Sequence, residues 1–514
     1  MATLKEYREE RIKKLDRLRN LGYDPFPARA KRTIMSNDII VKFSKLEGKT
    51  ETVFGRIKSI RKFGSKLAFI VVCDFSGTIQ LYLQAKNMQT SNPEKGLIGI
   101  NELGLLDTGD FIESTGKVVK TKTGEISLEL TELRIITKSI RPMPLDHESY
   151  TNKEERLRHR YIDMNANNVV RDRFVRRSMF WQATRNFLTA KGFIEISNNV
   201  LESTPGGADA NPFVTYMDAL GQNFYLRISH ELPLKRLLVA GFDKVFEIGP
   251  RFRNENYSDE HLPEHNAMEW YWATADWEMG MDLTEEMIRY VVDTTWGVRK
   301  FKLDNGHEVD FGKDNEQFKR ISFVEILKDN YDIDVFESSI EKIQTKLKQE
   351  KLEVEKQDNR IRSLDKLWKK YRKTIAGPVF LIDMPVFMQP LAKKNPKDER
   401  LTEQFNLVFA GSEMCKAFSE LNDPIDQLDR FLKQQKMRDA GDDEAQMLDI
   451  DFVEALECGM PPACGLGYSE RIFWSLEGVS AREGVPFPHL KSSIDSTTRE
   501  IYSNIDFDHM SQES

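Results

Sequence analysis

The chain has 514 residues, too many for one hydrophobic core, so several domains are expected. A net charge of −7 excludes a protein that coats nucleic acid wholesale, though it permits a local basic face. Four scattered cysteines (Cys73, Cys415, Cys458 and Cys464), none in a CxxC pair, exclude a disulfide framework and a cysteine zinc site. Reduced thiols, no apolar leader and no run near about 18 apolar residues predict a cytoplasmic chain without a membrane span.

In chain order, residues 4–20 read as a basic amphipathic helix with Leu4, Tyr7, Ile12, Leu15 and Leu18 on one side. From Glu51 to Ile136 five short strands with turn signals suit an OB-type barrel. Phe69 and Gln80 fall on adjacent predicted strands, with Arg61 and Glu125 bordering them. Such barrels bind single-stranded nucleic acid by stacking and base-edge contacts, although Phe69 as a core residue is an equally physical reading. A charged connector follows Arg141, then a helix over 170–191 stopped by Gly192 and a strand over 193–196. The loop LESTPGGADANPF lets backbone approach a ligand, and a strand over 224–229 leads to a helix over 231–240 that opens with Glu231.

The stretch KVFEIGPRFRNENYSDEHLPEHNAMEWYWA is the centre of the reading. Strands over 245–248 and 252–254 are predicted, joined through Gly249-Pro250. Residues two apart on a strand share a face, so Arg251, Arg253 and Glu255 point together, Met268, Trp270 and Trp272 form an apolar face, and Glu269 and Tyr271 share the opposite one. This unit offers arginines to a phosphate or carboxylate, and a carboxylate with a phenol to a cation. Residues 315–376 read as a charged helical insert without chemistry of its own. Strands are expected over 378–382 and twice within QFNLVFAGSEMCKAFSELND, with Glu413 and Cys415 on one face; Lys416, Phe418 and Glu420 share a face if no bulge intervenes. PPACGLGYSERIFWSLEG reads as a glycine-rich turn into a helix carrying Arg471, a ready anion site.

Together RFRNEN, HLPEH, MEWYWATADW, STPGGADANPF, GSEMCKAFSELNDP, AGDDEA and GLGYSER resemble the class II lysyl-tRNA synthetases over nearly the whole chain, and the strands over 51–136 resemble the anticodon barrel of that family. The resemblance implies an α+β architecture: residues 1–145 as an N-terminal helix and OB-fold β-barrel, and 146–514 as a catalytic domain with an antiparallel sheet flanked by helices and a helical insert. It implies ATP-dependent activation of L-lysine with Mg2+, transfer to the 3′ end of tRNA(Lys), and a homodimer. By family match, Arg253 and Arg471 are catalytic and hold phosphates, while Glu255, His261, His265 and Glu413 complete the ATP site. Gly207, Glu231, Glu269, Tyr271, Lys416 and Glu420 meet lysine, Glu413 and Asn406 hold metal, and Arg61, Phe69, Gln80 and Glu125 read the anticodon.

Departures from the family pattern are His265 for Phe, Leu262 and Lys416 for Asn, Asn406 for Glu, Asn199 for Pro and Asn211 for Arg. Two alternatives follow. An aspartate- or asparagine-charging relative would offer cations or amides to its substrate, which Glu269 and Glu420 oppose and Lys416 favours. A catalytically weak tRNA-binding paralogue would have lost Arg253, Arg471 or Glu255, and all three are present.

Overall fold

The computed structural model describes residues 3–144, 148, 150–255, 258, 261–355, 358–442 and 444–507. The chain divides into two compact units: residues up to Asn167 together with those from His489, and Asn168–Pro488. The short helices Lys153–Arg158 and Arg160–Ala166 go with the first unit, as does the C-terminal segment.

In the first unit, helix Leu4–Asn20 begins at a capping box in which Thr3 and Glu6 satisfy each other's backbone donors. Its buried face differs from the predicted one: Leu15 and Leu18 are inside with Arg11, while Tyr7 is exposed. Arg11 is buried because its guanidinium donates to the carbonyls of Ser139 (3.0 Å) and Thr108 (2.9 Å). Five strands, Thr50–Phe63, Leu67–Cys73, Thr78–Gln84, Phe111–Lys120 and Ile126–Thr137, close into a barrel in the order one-two-three-five-four. Alternation sets Ile70, Val72, Leu81 and Leu83 inward and Phe69 and Gln80 outward.

The second unit is built on an eight-stranded sheet in the order Lys319–Ser322, Val379–Ile382, Gln404–Phe409, Ser412–Ser419, Ala463–Ser469, Glu264–Ala273, Lys244–Phe252, Ile194–Glu195. The two edge pairings are parallel and the inner ones antiparallel. Helices Asn168–Ala190 and Trp277–Trp296 pack on one face, against Met268, Trp270, Cys415, Leu466 and Tyr468. The other face carries the polar cleft.

Four expectations are corrected here. Gly249-Pro250 is not a turn: Lys244–Phe252 is one strand, paired without a break to Glu264–Ala273. The glycine-rich Ala463–Ser469 is a central strand, and only Arg471–Leu476 after it is helical. The insert contributes an edge strand, Lys319–Ser322, before its helices Phe323–Tyr331, Ile340–Gln349 and Arg360–Tyr371. A bulge in Ser412–Ser419 sets Leu407 opposite Cys415 but Val408 opposite Glu413, so Met414 is the extra residue. Met414 and Cys415 then both enter the core, and Glu413 joins Lys416 and Phe418 on the cleft face.

Candidate active site

The cleft, about 340 Å³ in volume, lies on three central strands. Its floor follows from pairing. Gly467 sits between Glu269 and Lys416, and Gly465 between Tyr271 and Phe418. A Cβ on Gly465 would lie 2.3 Å from both Glu420 Oε1 and the Tyr271 ring, and one on Gly467 would lie 3.2 Å from Glu269 Cγ. The missing side chain at Gly465 is what lets Glu420 and the Tyr271 ring close over the strand.

One end of the cleft is acidic. Glu269 Oε1 accepts from Ser229 Oγ (2.7 Å) and the His230 backbone N–H (3.1 Å), and Oε2 accepts from the Tyr271 hydroxyl (3.1 Å). Arg251 Nη1 stands 3.6 Å away. Burial would raise the carboxyl, but His230, Arg251 and Ser229 outweigh it and hold Glu269 at about 2. Burial beside Glu231, Glu269 and Glu420 drives the Tyr271 phenol well up, so it stays a donor. Glu231, at the start of helix Glu231–Val239, accepts from Lys235 Nζ at 2.6 Å, one helical turn on. Lys235 also pairs with Glu420 and is fully buried. Burial outweighs the single ammonium these two carboxyls share, so both are shifted upward, while together they raise Lys235. Glu420 Oε1 has no hydrogen-bond partner among the described residues.

The other end is cationic, lined by Arg251, Arg253 and Arg471. Burial and the neighbouring Arg253 bring Arg251 down to about 9. Arg251 Nε donates to His265 Nε2 at 2.9 Å, and His265 Nδ1 lies 3.1 Å from the Leu262 carbonyl. The ring therefore accepts at Nε2 and donates from Nδ1, as a neutral imidazole does; burial and the two arginines push it well below the usual histidine range. Arg471 Nη1 donates to the Glu413 carbonyl at 3.3 Å. Arg253 Nε has no hydrogen-bond partner among the described residues. Lys416 reaches into the cleft 5.7 Å from the Phe418 ring; the surrounding protein lowers it, against attraction from Glu231, Glu413 and Asp209.

The structure thus brings Gly207, Glu231, Arg253, Glu255, His261, His265, Glu269, Tyr271, Glu413, Lys416 and Arg471 to one cleft. Glu420 is fully buried at the acidic end, on the same side of Gly465 as the Tyr271 ring. Gly207 needs its residue type: φ is +83°, and a Cβ would sit 2.7 Å from that of Glu231. His261 Nδ1 is 3.0 Å from Ser258 Oγ. Asn406 lies beside Glu413, the other residue expected to hold metal. It is buried behind Glu413, to which its amide donates at 3.2 Å, and its own carbonyl accepts from Gln404 at 3.0 Å. That carbonyl accepts one bond and keeps a second lone pair. Glu413 also accepts from the Trp368 indole.

Among the described residues no three His, Cys, Asp or Glu side chains group as a metal cage. Glu413 facing an arginine-lined cleft fits magnesium that arrives on a polyphosphate, because this ion binds through one or two carboxylates plus phosphate oxygens. Sequence reasoning grouped Arg251 with Arg253 but missed Ser229, His230, Lys235, Asp209 and Arg362 as residues around this cleft. Of the missed residues only Lys235, four residues after Glu231, carried a local signal.

In the barrel, Phe69 pairs with Arg61 on one side and with Tyr82 on the other, and its ring stacks on Tyr82 at 5.2 Å. Phe63 meets Phe69 edge-on at 5.8 Å. Phe69 is half-buried on the outer face rather than in the core. Gln80 donates to Ser127 Oγ at 3.0 Å, and exposed Glu125 lies two residues before Ser127.

The barrel and the mainly antiparallel sheet with its arginine-lined cleft each match a known family. Residues 51–136 match the OB-fold nucleic acid binding domain, and residues 152–491 match the tRNA synthetases of class II (D, K and N). The lysine–tRNA ligase of Fervidobacterium nodosum is 42% identical over 492 residues, 94% of each chain. That of Thermotoga maritima is 39% identical over 500 residues, 95% of this chain and 96% of its own. The Clostridium perfringens enzyme is 40% identical over 496 residues, 95% and 97%. The chain belongs to the lysine–tRNA ligase family of class II aminoacyl-tRNA synthetases.

Proposed function

We propose that this cleft joins L-lysine to ATP and passes the lysyl group to tRNA(Lys). The observation that carries the reading is the two-ended cleft, carboxylates at one end and arginines at the other, over a floor of glycines. Glu269, Tyr271 and the unpartnered Glu420 Oε1 take the ε-ammonium, while Glu231 and the Gly207 carbonyl take the α-ammonium. An apolar amino acid of equal length would leave buried carboxylates unpaired, which is how such a pocket rejects it.

A lysine carboxylate oxygen attacks the α-phosphorus, and the bond to the β-phosphate bridging oxygen breaks, releasing pyrophosphate. Two anions meet in this step, so the protein's work is positioning and neutralisation. Arg253 spans the carboxylate and α-phosphate, Arg471 holds the far phosphates, and Lys416 adds a cation beside them. Glu255, His261 and neutral His265 position the nucleotide. Glu413 holds Mg2+ carried by ATP, which supplies further neutralisation of phosphate charge. The 3′-terminal hydroxyl of tRNA then attacks the acyl carbon and AMP leaves. In the barrel, Phe69 stacks on an anticodon base, with Arg61, Gln80 and Glu125 at base edges.

A homodimer belongs to this proposal on the family resemblance. The four free cysteines fit a reducing cytoplasm, and no described helix is long and apolar enough to cross a membrane. The deciding experiment is ATP–pyrophosphate exchange with each of the twenty amino acids. Exchange with lysine alone is expected; exchange with aspartate or asparagine instead would overturn the assignment of the acidic end.

A further inference from the structure

The insert does more than decorate the sheet edge. Helix Arg360–Tyr371 packs by Leu364, Leu367 and Trp368 into a core with Leu381 and Val408 of the sheet, so it is a fixed element. Its first turn presents Arg362 to the cleft. There Nη1 donates to Asp209 in the glycine-rich loop at 2.8 Å and pairs with Glu444 at 3.1 Å, while Nη2 donates to Asp442 at 3.0 Å. Asp209 neighbours Gly207, and Asp442 and Glu444 precede Gln446, another cleft residue. One guanidinium therefore gathers three carboxylates from two loops that are remote in sequence. Burial raises Asp209 and Glu444, which repel one another, and Arg362 is the cation that opposes this in both. Six residues further along the same helix, about 9 Å by its rise, the Trp368 indole holds Glu413.

We infer that Arg362 is a positioning residue for lysine activation: it clamps the loop carrying Gly207 and Asp209, together with Asp442 and Glu444, onto the insert helix, setting the Gly207 carbonyl at the amino-acid end. The inference rests on the proposed reaction. Without Arg362, Asp209, Asp442 and Glu444 repel, and the glycine-rich loop moves off the lysine site. A planar five-donor fork is needed to reach both loops at once, and a single ammonium cannot reproduce it.

The test is lysine-dependent ATP–pyrophosphate exchange with wild type, R362K, R362M, D209N and the R362M/D209N double variant, each checked by thermal melting. The expected result is a KM for lysine raised about tenfold or more in R362M, only partly restored in R362K, with a smaller change in kcat. The double variant is expected to be no worse than R362M, because both changes break one contact. Unchanged KM in folded R362K and D209N, or strictly multiplicative losses in the double variant, would overturn the clamp. Should R362M not fold, R362K and D209N still decide the question through the KM-against-kcat split. Absence of lysine-dependent exchange in the wild type would instead overturn the proposed reaction itself.

Discussion

The barrel face and the cleft solve recognition in opposite ways. On the barrel, Arg61 and Glu125 are exposed, Phe69 and Gln80 half-buried, and the aromatic stack Phe69–Tyr82 stands on a core that needs none of them. In the cleft, Glu231, Lys235, Glu269 and Glu420 are all buried, and each depends on its neighbours for its charge state. A solvated surface lets each contact contribute separately. A buried network binds function to stability, because removing one charge strands the others.

Breaking the network at its hub has the largest expected effect. Lys235→Met leaves Glu231 and Glu420 buried without a cation, and urea unfolding is expected to register a loss of about 3–5 kcal/mol. Next comes the cationic end: Arg253→Ala is expected to lower kcat/KM for exchange by about 10²–10³-fold, as removal of a transition-state donor does. A loss under about fivefold would refute the role given to Arg253. The third test concerns Glu202, whose pKa burial raises to about 8 and whose Oε2 lacks a hydrogen-bond partner among the described residues. Its folded pKa exceeds the unfolded one, so its contribution is complete below about pH 4.5 and is lost as pH rises through about 8. Against E202Q, the wild type should lose on the order of 4 kcal/mol between pH 5 and 9 in paired unfolding curves. The smallest effect belongs to the barrel. Phe69→Ala is expected to weaken tRNA binding by roughly tenfold in a filter-binding assay, with thermal stability close to wild type. A collapse in stability would make Phe69 a core residue and erase the contrast.

Much of this was legible in the sequence because it depends on local pattern. Period-two alternation delineated the five barrel strands and separated Glu269 and Tyr271 from Met268, Trp270 and Trp272, and the structure keeps that separation. What escaped was set by partners elsewhere in the chain. Gly249-Pro250 looks like a turn, yet nine consecutive pairings with Glu264–Ala273 hold it extended. The glycines of Ala463–Ser469 look like a loop, yet strands on both sides make it central. The bulge at Met414 changes which residues share a face with Glu413, and no propensity announces it. Arg362 and Trp368 sat in a stretch that reads only as charged helix; their chemistry comes from Asp209 and Glu413, 153 and 45 residues away.

The bare floor at Gly465 and Gly467 limits how this enzyme can be redesigned. A library meant to admit a longer, shorter or uncharged amino acid cannot vary position 465, since a single methyl there already collides with Glu420 and Tyr271, whereas one at 467 would only press on Glu269 Cγ at 3.2 Å. Any new specificity has to be written into the walls, at Ser229, Arg251, Lys416 or Phe418, with the carboxylate network rebalanced in the same step. Selections that randomise floor and wall together will return glycine at 465, whatever substrate drives them.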